Sequence, residues 1–434
     1  MKLHLLPSIL LAGTVAAQQQ PTTPVRQLGA VVAKSTTPWG AIIGMRALAG
    51  GRVLVNDIAG RKVLMLDSAL APISTVADTT AATATAYSGR AASLIAFRGD
   101  STLFVDPQSM SMMVIDPNGK ITRVMSVPRG EDAGALGGVQ GGSSGFDAKG
   151  RLVYRAPFRF FRPGGPPPTA SGGLPSMPTP PESAAIIRVD LATRKVDTVG
   201  MVKIPKINMQ VSQDEKGNVR MTSEVNPLPM VDDWAVLADG SVAFVRGRDY
   251  HVDFVNADGS VTSAPKIPFD WQRLTDEDKV AFIDSVKAAR ARLATQALGA
   301  PTPAGQPAGG PPPGEGRMVI QFGPDGGAGQ RGGGAVGGQP QLAFVSPSEL
   351  PDYKPPFFAG AVRADLDGNV WVRTIPTRKM EGGPVYDVIN RDGKLIDRVQ
   401  VPVGRTIIGF GSGGSVYLVA RDATTMTLER AHTK

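Results

Sequence analysis

The sequence predicts an all-β fold, a six-bladed β-propeller whose blades are four-stranded antiparallel sheets. Two observations predict it. A hairpin of two apolar strands around a glycine turn occurs six times along the 434 residues. Most copies are followed by a third apolar strand and then by a more polar fourth strand. A repeated unit of this kind, with inner strands buried on both faces and an outer strand at the solvent, is typical of a propeller.

The six hairpins share a Gly at the turn position that needs a positive φ. These glycines are Gly50, Gly99, Gly150, Gly240, Gly368 and Gly413. A β-sandwich does not use six repeats of one hairpin, and a parallel α/β fold needs alternating helices that the sequence lacks. Seven blades are an alternative if residues 208–225 form a blade remnant instead of the extended hairpin that we predict.

The sixth unit, which starts at Arg405, has only three clear strands. Residues 25–34 precede the first full unit, and we predict that they supply the missing outer strand. Such a closure joins the two ends of the chain and removes two exposed sheet edges. Residues 25–434 are therefore predicted to form one domain.

Some blades carry motifs of a known group of propellers. Residues 57–63, Asp-Ile-Ala-Gly-Arg-Lys-Val, resemble the NHL repeat, which has an Asp, a short turn, an Arg and an apolar strand. Residues 233–240 and 367–372 resemble exported bacterial six-bladed propellers of the NHL/TolB-like group, although the later blades lack the Asn-x-Arg element. The resemblance implies the fold and does not imply an activity.

Three segments interrupt the predicted propeller. Residues 163–181 and 299–341 are rich in Pro and Gly without a regular period, which predicts loops or disorder. Residues 269–298 are predicted to contain a helix with acidic residues in its first turn. Its apolar side is predicted to include Val280 and Ile283. We expect this helix on the rim of the propeller, and a lid over the central channel is the alternative.

The N-terminal residues predict export. Residues 1–17 have a positive start at Lys2, a short apolar run and a small-residue cleavage site, which together are typical of a secretory signal peptide. The expected location is the periplasm or the extracellular space. The apolar run is too short to span a bilayer, and no later stretch is longer, so no transmembrane segment is predicted.

Composition excludes several classes of site and partner. The chain has no Cys, which excludes disulfides, thiolate metal sites and cysteine nucleophiles. Its three His are scattered, which argues against a multi-histidine metal centre. The net charge is +8, but the basic residues form no Lys/Arg-rich run and no recognition helix. Nucleic acid is therefore not an expected partner.

The candidate binding residues lie where the second strands of the six units end, because in a propeller these ends share one face around the axis. They are Asp57, Asp106, Arg155, Arg246, Arg373 and Arg421. Guanidinium groups suit carboxylate or phosphate ligands, so we predict a mouth for an anionic ligand, with Asp233 and Tyr250 nearby. The other interpretation, which the sequence favours, is that each arginine pairs with an aspartate of a neighbouring blade and only stabilises the fold.

The function predicted from these residues is that of an exported, non-catalytic module that binds an anionic small molecule or an envelope protein. It is expected to be a monomer without a cofactor, and no catalytic residue or metal ligand is predicted. Two alternatives stay open. One is a metal-dependent, lactonase-like hydrolase on the same scaffold, with a divalent cation in the axial channel. The other is a structural component of an envelope complex.

Overall fold

The computed structural model covers most of the chain outside its N terminus and its Pro/Gly-rich segments. It describes residues 23–80, 85–89, 93–136, 142–157, 170–171, 174–175, 180–213, 219–299, 341–378, 380–422 and 425–433. The predictions for the signal peptide, for most of residues 163–181 and for residues 300–340 lie outside the described residues.

The first half of the described chain forms three four-stranded antiparallel sheets, numbered in chain order. Two N-terminal strands come first, β1 (Val25–Gln27) and β2 (Val31–Lys34). Sheet 1 contains β3 (Ile42–Ala47), β4 (Val53–Asp57), β5 (Lys62–Leu66) and β6 (Pro72–Asp78). Sheet 2 contains β7 (Leu94–Ala96), β8 (Thr102–Asp106), β9 (Ser111–Ile115) and β10 (Ile121–Ser126), and the short helix α1 (Ala133–Leu136) follows it. Sheet 3 begins with β11 (Gly145–Phe146) and β12 (Leu152–Arg155). After a small hairpin of β13 (Ala170–Ser171) and β14 (Leu174–Pro175), it is completed by β15 (Ser183–Val189) and β16 (Val196–Lys203).

The second half forms three further sheets of the same kind and an insert. The insert opens with a hairpin of β17 (Ile207–Gln213) and β18 (Val219–Val225). Sheet 4 contains β19 (Asp233–Val236), β20 (Val242–Arg246), β21 (His251–Val255) and β22 (Val261–Ser263). The insert continues with α2 (Asp276–Gly299) and β23 (Gln341–Phe344). Sheet 5 contains β24 (Phe357–Ala364), β25 (Val370–Thr374), β26 (Val385–Ile389) and β27 (Leu395–Gln400). Sheet 6 contains β28 (Arg405–Gly411), β29 (Ser415–Arg421) and β30 (Met426–His432).

An apolar core lies between every sheet and the next one. One core joins sheets 1, 2 and 3, and others join sheets 3 and 4, sheets 4 and 5, and sheets 5 and 6. A further core, which includes Trp39 and Tyr417, joins sheet 6 to sheet 1. The first strand of each sheet is an edge strand. First strands of neighbouring sheets contact each other, as β19 contacts β24 and β28 contacts β3, so we call them the inner strands. Sheets stacked face to face in succession in this way form a β-propeller.

The N-terminal strands supply the fourth strand that was predicted for sheet 6 and add a second contact. Strand β2 pairs antiparallel with β30 and gives sheet 6 its fourth strand. Strand β1 pairs in parallel with β27 on the outer edge of sheet 5, and Arg26 donates a hydrogen bond from Nε to Asp397 at 2.6 Å. The segment therefore covers the outer edges of two neighbouring sheets, which protects both from pairing with other chains.

The insert packs as a unit of its own beside sheets 4 and 5. Strands β17 and β18 form the expected hairpin, and β23 pairs in parallel with β18, so this unit is a three-stranded sheet, unlike the four-stranded antiparallel sheets. Ile283 of α2 packs with Leu228, Leu350 and Ile375. The predicted apolar side is wrong at Val280, which is 46% exposed. No helix in the described part of the chain is long and apolar enough to cross a membrane.

Candidate functional site

Asp233 is a buried carboxyl group at the start of an innermost strand. It opens β19 of sheet 4 and is only 2% exposed. Its side chain accepts hydrogen bonds of 3.0 Å from the backbone N–H groups of Trp234 and Val362. The backbone of Gly360 donates a third. Because Val362 and Gly360 belong to β24, Asp233 joins the inner strands of sheets 4 and 5.

An irregularity in β24 permits this contact. The register of β24 against β25 shifts between Phe357 and Val362. Such a shift frees backbone groups from the regular ladder and re-aims them. Gly360 has a φ of +81°, and a Cβ added there would meet no atom within 4 Å. Open space therefore lies beside the backbone that holds Asp233.

Burial decides the acidity of Asp233. It raises the pKa of this carboxyl to about 6, while the backbone N–H groups of Val362, Trp234 and Gly360 and the charge of Arg363 act in the opposite direction. A carboxyl group with this pKa is present in both protonation states close to neutral pH. That property is typical of side chains that transfer protons in enzymes.

Two arginines act on the Asp233 carboxyl. Arg155 ends β12 of sheet 3, and burial lowers its pKa while the charge of Asp233 opposes the shift. Arg363 lies in β24, and its Nε donates a hydrogen bond of 3.1 Å to the carbonyl oxygen of Ile407 in sheet 6. This bond uses one of the five N–H groups of the Arg363 guanidinium.

Tyr386 and Arg373 lie near Arg363, on the side of Asp233 that faces sheet 6. The Tyr386 hydroxyl accepts a hydrogen bond of 3.4 Å from the N–H of Ile407. Burial raises the pKa of Tyr386, and the charges of Arg373 and Arg363 oppose that shift. Arg373 lies opposite Tyr386 in the register of β25 and β26, and its side chain is exposed. Within the described residues, no hydrogen bond or ion pair engages its guanidinium group.

We call the five residues Arg155, Asp233, Arg363, Arg373 and Tyr386 the axial group. It combines a carboxyl group that titrates near neutrality with three guanidinium groups and a phenol. The carboxyl can accept and return a proton. Guanidinium and phenol donors can stabilise negative charge that develops on an oxygen. The axial group therefore has the parts needed for general base catalysis at a carbonyl carbon.

Of the predicted site residues, Arg155, Arg373 and Asp233 belong to the axial group, whereas Arg246 has structural partners. Arg246 donates from Nε to Asp253 at 2.7 Å and from Nη1 to Asp232 at 3.0 Å. Its Nη1 also bonds the carbonyl oxygen of Met201 in sheet 3 at 2.8 Å. Arg246 thus stabilises the fold through Asp253 of its own sheet, Asp232 just before that sheet and the backbone of sheet 3.

Asp57 and Asp106 hold the turns in which they lie. Asp57 accepts a hydrogen bond of 3.0 Å from the N–H of Ala41, which fixes the entry to β3. Asp106 accepts hydrogen bonds from Ser88 and, at 2.7 Å, from Ser109. Burial alone would raise the pKa of Asp106, but these hydrogen bonds lower it. Both carboxylates are already engaged by the protein.

Tyr250 and Arg421 are not brought to the axial group. Tyr250 is fully buried between sheets 4 and 5, where its hydroxyl donates a hydrogen bond of 2.9 Å to Asp387. Its ring packs against Phe269 and Phe357. Arg421 ends β29 with an exposed side chain, and no contact within the described residues connects it to the axial group.

Sequence reasoning missed Arg363 and Tyr386. The candidate binding residues were taken from the ends of second strands. Arg363 lies in the first strand of sheet 5, and Tyr386 lies in the third. A signal for Arg363 was available. It is the one charged residue in Phe357–Ala364, a strand that the repeat places next to the axis. A charge in such a strand needs a partner nearby.

The described residues do not fit a metal centre. Across the parts of the chain that the structure describes, no three His, Asp or Glu side chains converge as metal ligands. The axial group supplies one carboxyl and three guanidinium groups, and the positive charges repel a divalent ion. The divalent cation of the lactonase-like alternative therefore has no ligand set among these residues.

Comparison with known proteins finds no matching family model and no matching curated protein. Solved structures do match, at low sequence identity. One is a gluconolactonase from Xanthomonas campestris, with 10% identity over 94% of this chain and 99% of that chain and a TM-score of 0.35. Another is a virginiamycin B lyase from Staphylococcus aureus, with 10% identity over 94% and 99% and a TM-score of 0.34. A third is regucalcin, a calcium-binding protein from Agrobacterium tumefaciens, with 12% identity over 94% and 98% and a TM-score of 0.36.

These matches correct the predicted function. The sequence predicted a non-catalytic binding module, whereas the solved structures that resemble this chain mostly carry the names of enzymes such as gluconolactonases and lyases. The non-catalytic prediction is therefore wrong, and the hydrolase that was its first alternative agrees better with the matches.

Proposed function

We propose that this protein is a hydrolase that cleaves an ester or lactone at the axial end of a closed, six-bladed propeller, with Asp233 as the general base. The observation that carries the proposal is the setting of Asp233, a buried carboxyl at the start of β19 that the backbone of β24 bonds and on which the charges of Arg155 and Arg363 act. The proposal keeps the reaction of the lactonase-like alternative without its metal, because the described residues offer no ligand set.

The hydrogen bonds of Asp233 leave one lone-pair position of its carboxylate for the water molecule that attacks the substrate. An ionised carboxylate has about four lone-pair positions. Three are used by the backbone N–H groups of Trp234, Gly360 and Val362. These three bonds fix the carboxylate in one orientation, which lowers the cost of organising the site during the reaction. The fourth position is available to a water molecule that approaches through the space beside Gly360.

The reaction proceeds by two proton transfers at Asp233. The carboxylate takes a proton from the water while the water oxygen attacks the carbonyl carbon, and the carbonyl π electrons move onto its oxygen. The tetrahedral intermediate then collapses and the bond to the alkoxy oxygen breaks. That oxygen takes the proton back from the Asp233 carboxyl. An ester yields an acid and an alcohol, and a lactone yields a single hydroxy acid.

The other members of the axial group stabilise charge. The guanidinium groups of Arg155 and Arg363, which both act on Asp233, favour the negative oxygen of the tetrahedral intermediate. Tyr386 contributes its hydroxyl proton, which no acceptor in the described part of the chain takes. Arg373, at the exposed side of the group, binds and orients the substrate.

The same proposal includes the finer predictions for the whole protein. The closed ring of six blades is supported by the cores between successive sheets and by the core that joins sheet 6 to sheet 1. Membership of the NHL/TolB-like group is supported by the Asp57 motif. Export to the periplasm or beyond is supported by the signal-like pattern of residues 1–17.

The test is hydrolysis by wild-type protein and by Asp233→Asn. Glucono-δ-lactone, δ-valerolactone and 4-nitrophenyl acetate are assayed with a pH-stat at pH 7.5. The wild-type protein is expected to hydrolyse at least one of them, and Asp233→Asn is expected to lower kcat by about 100-fold or more, as loss of a general base does. Absence of hydrolysis of all three substrates would contradict the proposal.

The matched control is Asp387→Asn. Asp387 is also a buried aspartate whose pKa is raised by burial, but it bonds Tyr250 and Arg398 outside the axial group. This variant is expected to keep kcat within about threefold of wild type, since proton transfer does not pass through it. Thermal melts establish that each variant is folded. A folded Asp233→Asn protein as active as the control would refute the role of Asp233.

A further inference from the structure

Arg373 differs from its counterpart in the preceding sheet. Both Arg246 and Arg373 lie at the end of the second strand of their sheets. Arg246 is neutralised by Asp232 and Asp253. Arg373 is exposed and, among the described residues, has no carboxylate partner. Its charge is therefore available to a ligand that comes from outside the protein.

The surroundings of Arg373 strengthen its attraction for an anion. Arg363 lies close enough for both guanidinium groups to act on the hydroxyl of Tyr386. Among the described residues, the hydrogen bond of the Arg363 guanidinium goes to a carbonyl oxygen, that of Ile407. The positive charges of Arg363 and Arg373 therefore lie near each other, and among the described residues no carboxylate bonds either guanidinium group. A ligand with a negative charge relieves the repulsion between the arginines.

We infer that the substrate carries a carboxylate group beside its scissile ester or lactone bond, and that Arg373 binds this carboxylate. The inference rests on the proposed hydrolase function and names its substrate class. The planar fork of Arg373 can donate two parallel hydrogen bonds to the two carboxylate oxygens. With its charged end held at the exposed side of the group, the substrate extends its carbonyl carbon toward Asp233.

The kinetic test compares two aryl esters of similar length. Mono-4-nitrophenyl glutarate carries a carboxylate, and 4-nitrophenyl butyrate does not. Arg373→Met is expected to raise KM for the glutarate ester by about 10- to 100-fold, the range for loss of a charge-assisted hydrogen-bonded pair. Its effect on the butyrate ester is expected to be less than about threefold. Arg373→Lys is expected to fall between wild type and Met, because a lysine keeps the charge and loses the fork.

The control for net charge is Arg378→Met, which removes an exposed guanidinium that pairs with Asp270 in the same region. It is expected to leave both KM values unchanged. If Arg373→Met affects the two esters equally, or if wild-type protein prefers the butyrate ester, the inference is wrong.

Binding without turnover separates this inference from the proposed function. Isothermal titration of glutarate and of neutral glutaramide into wild-type protein, Arg373→Met and Asp233→Asn requires no catalysis. Glutarate is expected to bind wild type and Asp233→Asn, to bind Arg373→Met at least 10-fold more weakly, and to bind better than glutaramide. Glutarate binding that depends on Arg373 in a protein without hydrolase activity would overturn the hydrolase alone. Equal binding of glutarate by wild type and Arg373→Met would overturn the carboxylate subsite.

Discussion

The carboxyl of Asp233 ionises less readily in the folded chain than in the unfolded chain. Its folded pKa is about 6, and an aspartate in an unfolded chain has a pKa near 3.9. As the pH rises, the unfolded state therefore loses this proton first. The stability linked to the protonated carboxyl is present in full below about pH 4 and is lost as the pH passes through about 6. The loss is about 3 kcal/mol.

This loss can be measured by urea denaturation between pH 4 and pH 7. The free energy of unfolding of wild type is expected to fall by about 3 kcal/mol more over this range than that of Asp233→Ala, which lacks the group. The difference between the two proteins isolates Asp233 from the other carboxyl groups. Parallel pH curves for wild type and Asp233→Ala would show that burial does not raise the pKa of this side chain.

Alanine substitutions at two glycines near Asp233 distinguish the cost of backbone strain from the cost of steric crowding. Gly142 and Gly360 both have a positive φ, +76° and +81°. A Cβ added at Gly142 would lie 2.1 Å from Nε1 of Trp234, whereas a Cβ at Gly360 meets nothing within 4 Å. Gly360→Ala is expected to cost about 1–2 kcal/mol of unfolding free energy from the backbone alone. Gly142→Ala is expected to cost a further 1–3 kcal/mol or so from overpacking. Equal losses in the two variants, measured by chemical denaturation, would contradict the tight contact at Trp234.

The N-terminal segment is an element whose removal can be tested cleanly. A chain that starts at residue 35 lacks β1, β2 and the buried side chain of Leu28, and it leaves β30 as an exposed edge. It is expected to lose at least about 2 kcal/mol of unfolding free energy, since exposure of Leu28 alone costs that much. It is also expected to associate through the open edge. The control starts at residue 23.

Size-exclusion chromatography and thermal melts of the two truncated proteins check this prediction. The control is expected to remain monodisperse with the wild-type melting temperature. If the chain that starts at residue 35 melts and elutes like the control, then β2 does not close sheet 6.

The elements show where sequence patterns suffice and where they fail. The hairpin repeat predicted the strand ends at Asp57, Asp106 and Arg155, because turn glycines and apolar runs are local signals. The helix of the insert was predicted, and its buried side was predicted correctly at Ile283 but not at Val280. Lys279, and not Val280, faces inward, where its Nζ bonds Asp352 at 2.7 Å. Asp352 is distant along the chain, so no helical periodicity could reveal this pairing.

The cores shared by successive sheets predict how the whole molecule unfolds. Each neighbouring pair of sheets shares a core, so the loss of one sheet exposes the faces of two others. Three tryptophans report on different junctions, Trp39 between sheets 6 and 1, Trp234 between sheets 3 and 4, and Trp371 between sheets 5 and 6. Variants in which one of these three is the sole tryptophan, the fourth, Trp271, being replaced as well, are expected to show the same urea midpoint by fluorescence as by far-UV circular dichroism. Midpoints that differ between the junctions would show that the sheets unfold separately.

The axial group also depends on the whole molecule, which is why only part of it could be predicted. Its members come from sheets 3, 4 and 5, and Ile407 of sheet 6 bonds two of them. Arg155 and Arg373 were named from the sequence because the repeat places the ends of second strands on one face, and Asp233 was named as a residue near them. The raised pKa of Asp233 depends on the irregular backbone of β24, which supplies its hydrogen bonds and its cover. That irregularity has no local sequence signal beyond Gly360.

The pH dependence of hydrolysis tests the catalytic role of Asp233 most directly. The assay follows kcat/KM for 4-nitrophenyl esters from pH 4.5 to pH 8.5 in wild type and in Arg363→Met. For wild type, kcat/KM is expected to rise with pH through an inflection near 6 and then to level off, because the base acts when ionised. Loss of the positive charge of Arg363 is expected to move the inflection to higher pH by about 0.5 to 1 unit. A profile without an inflection in this range, or an inflection that Arg363→Met leaves in place, would contradict Asp233 as the general base.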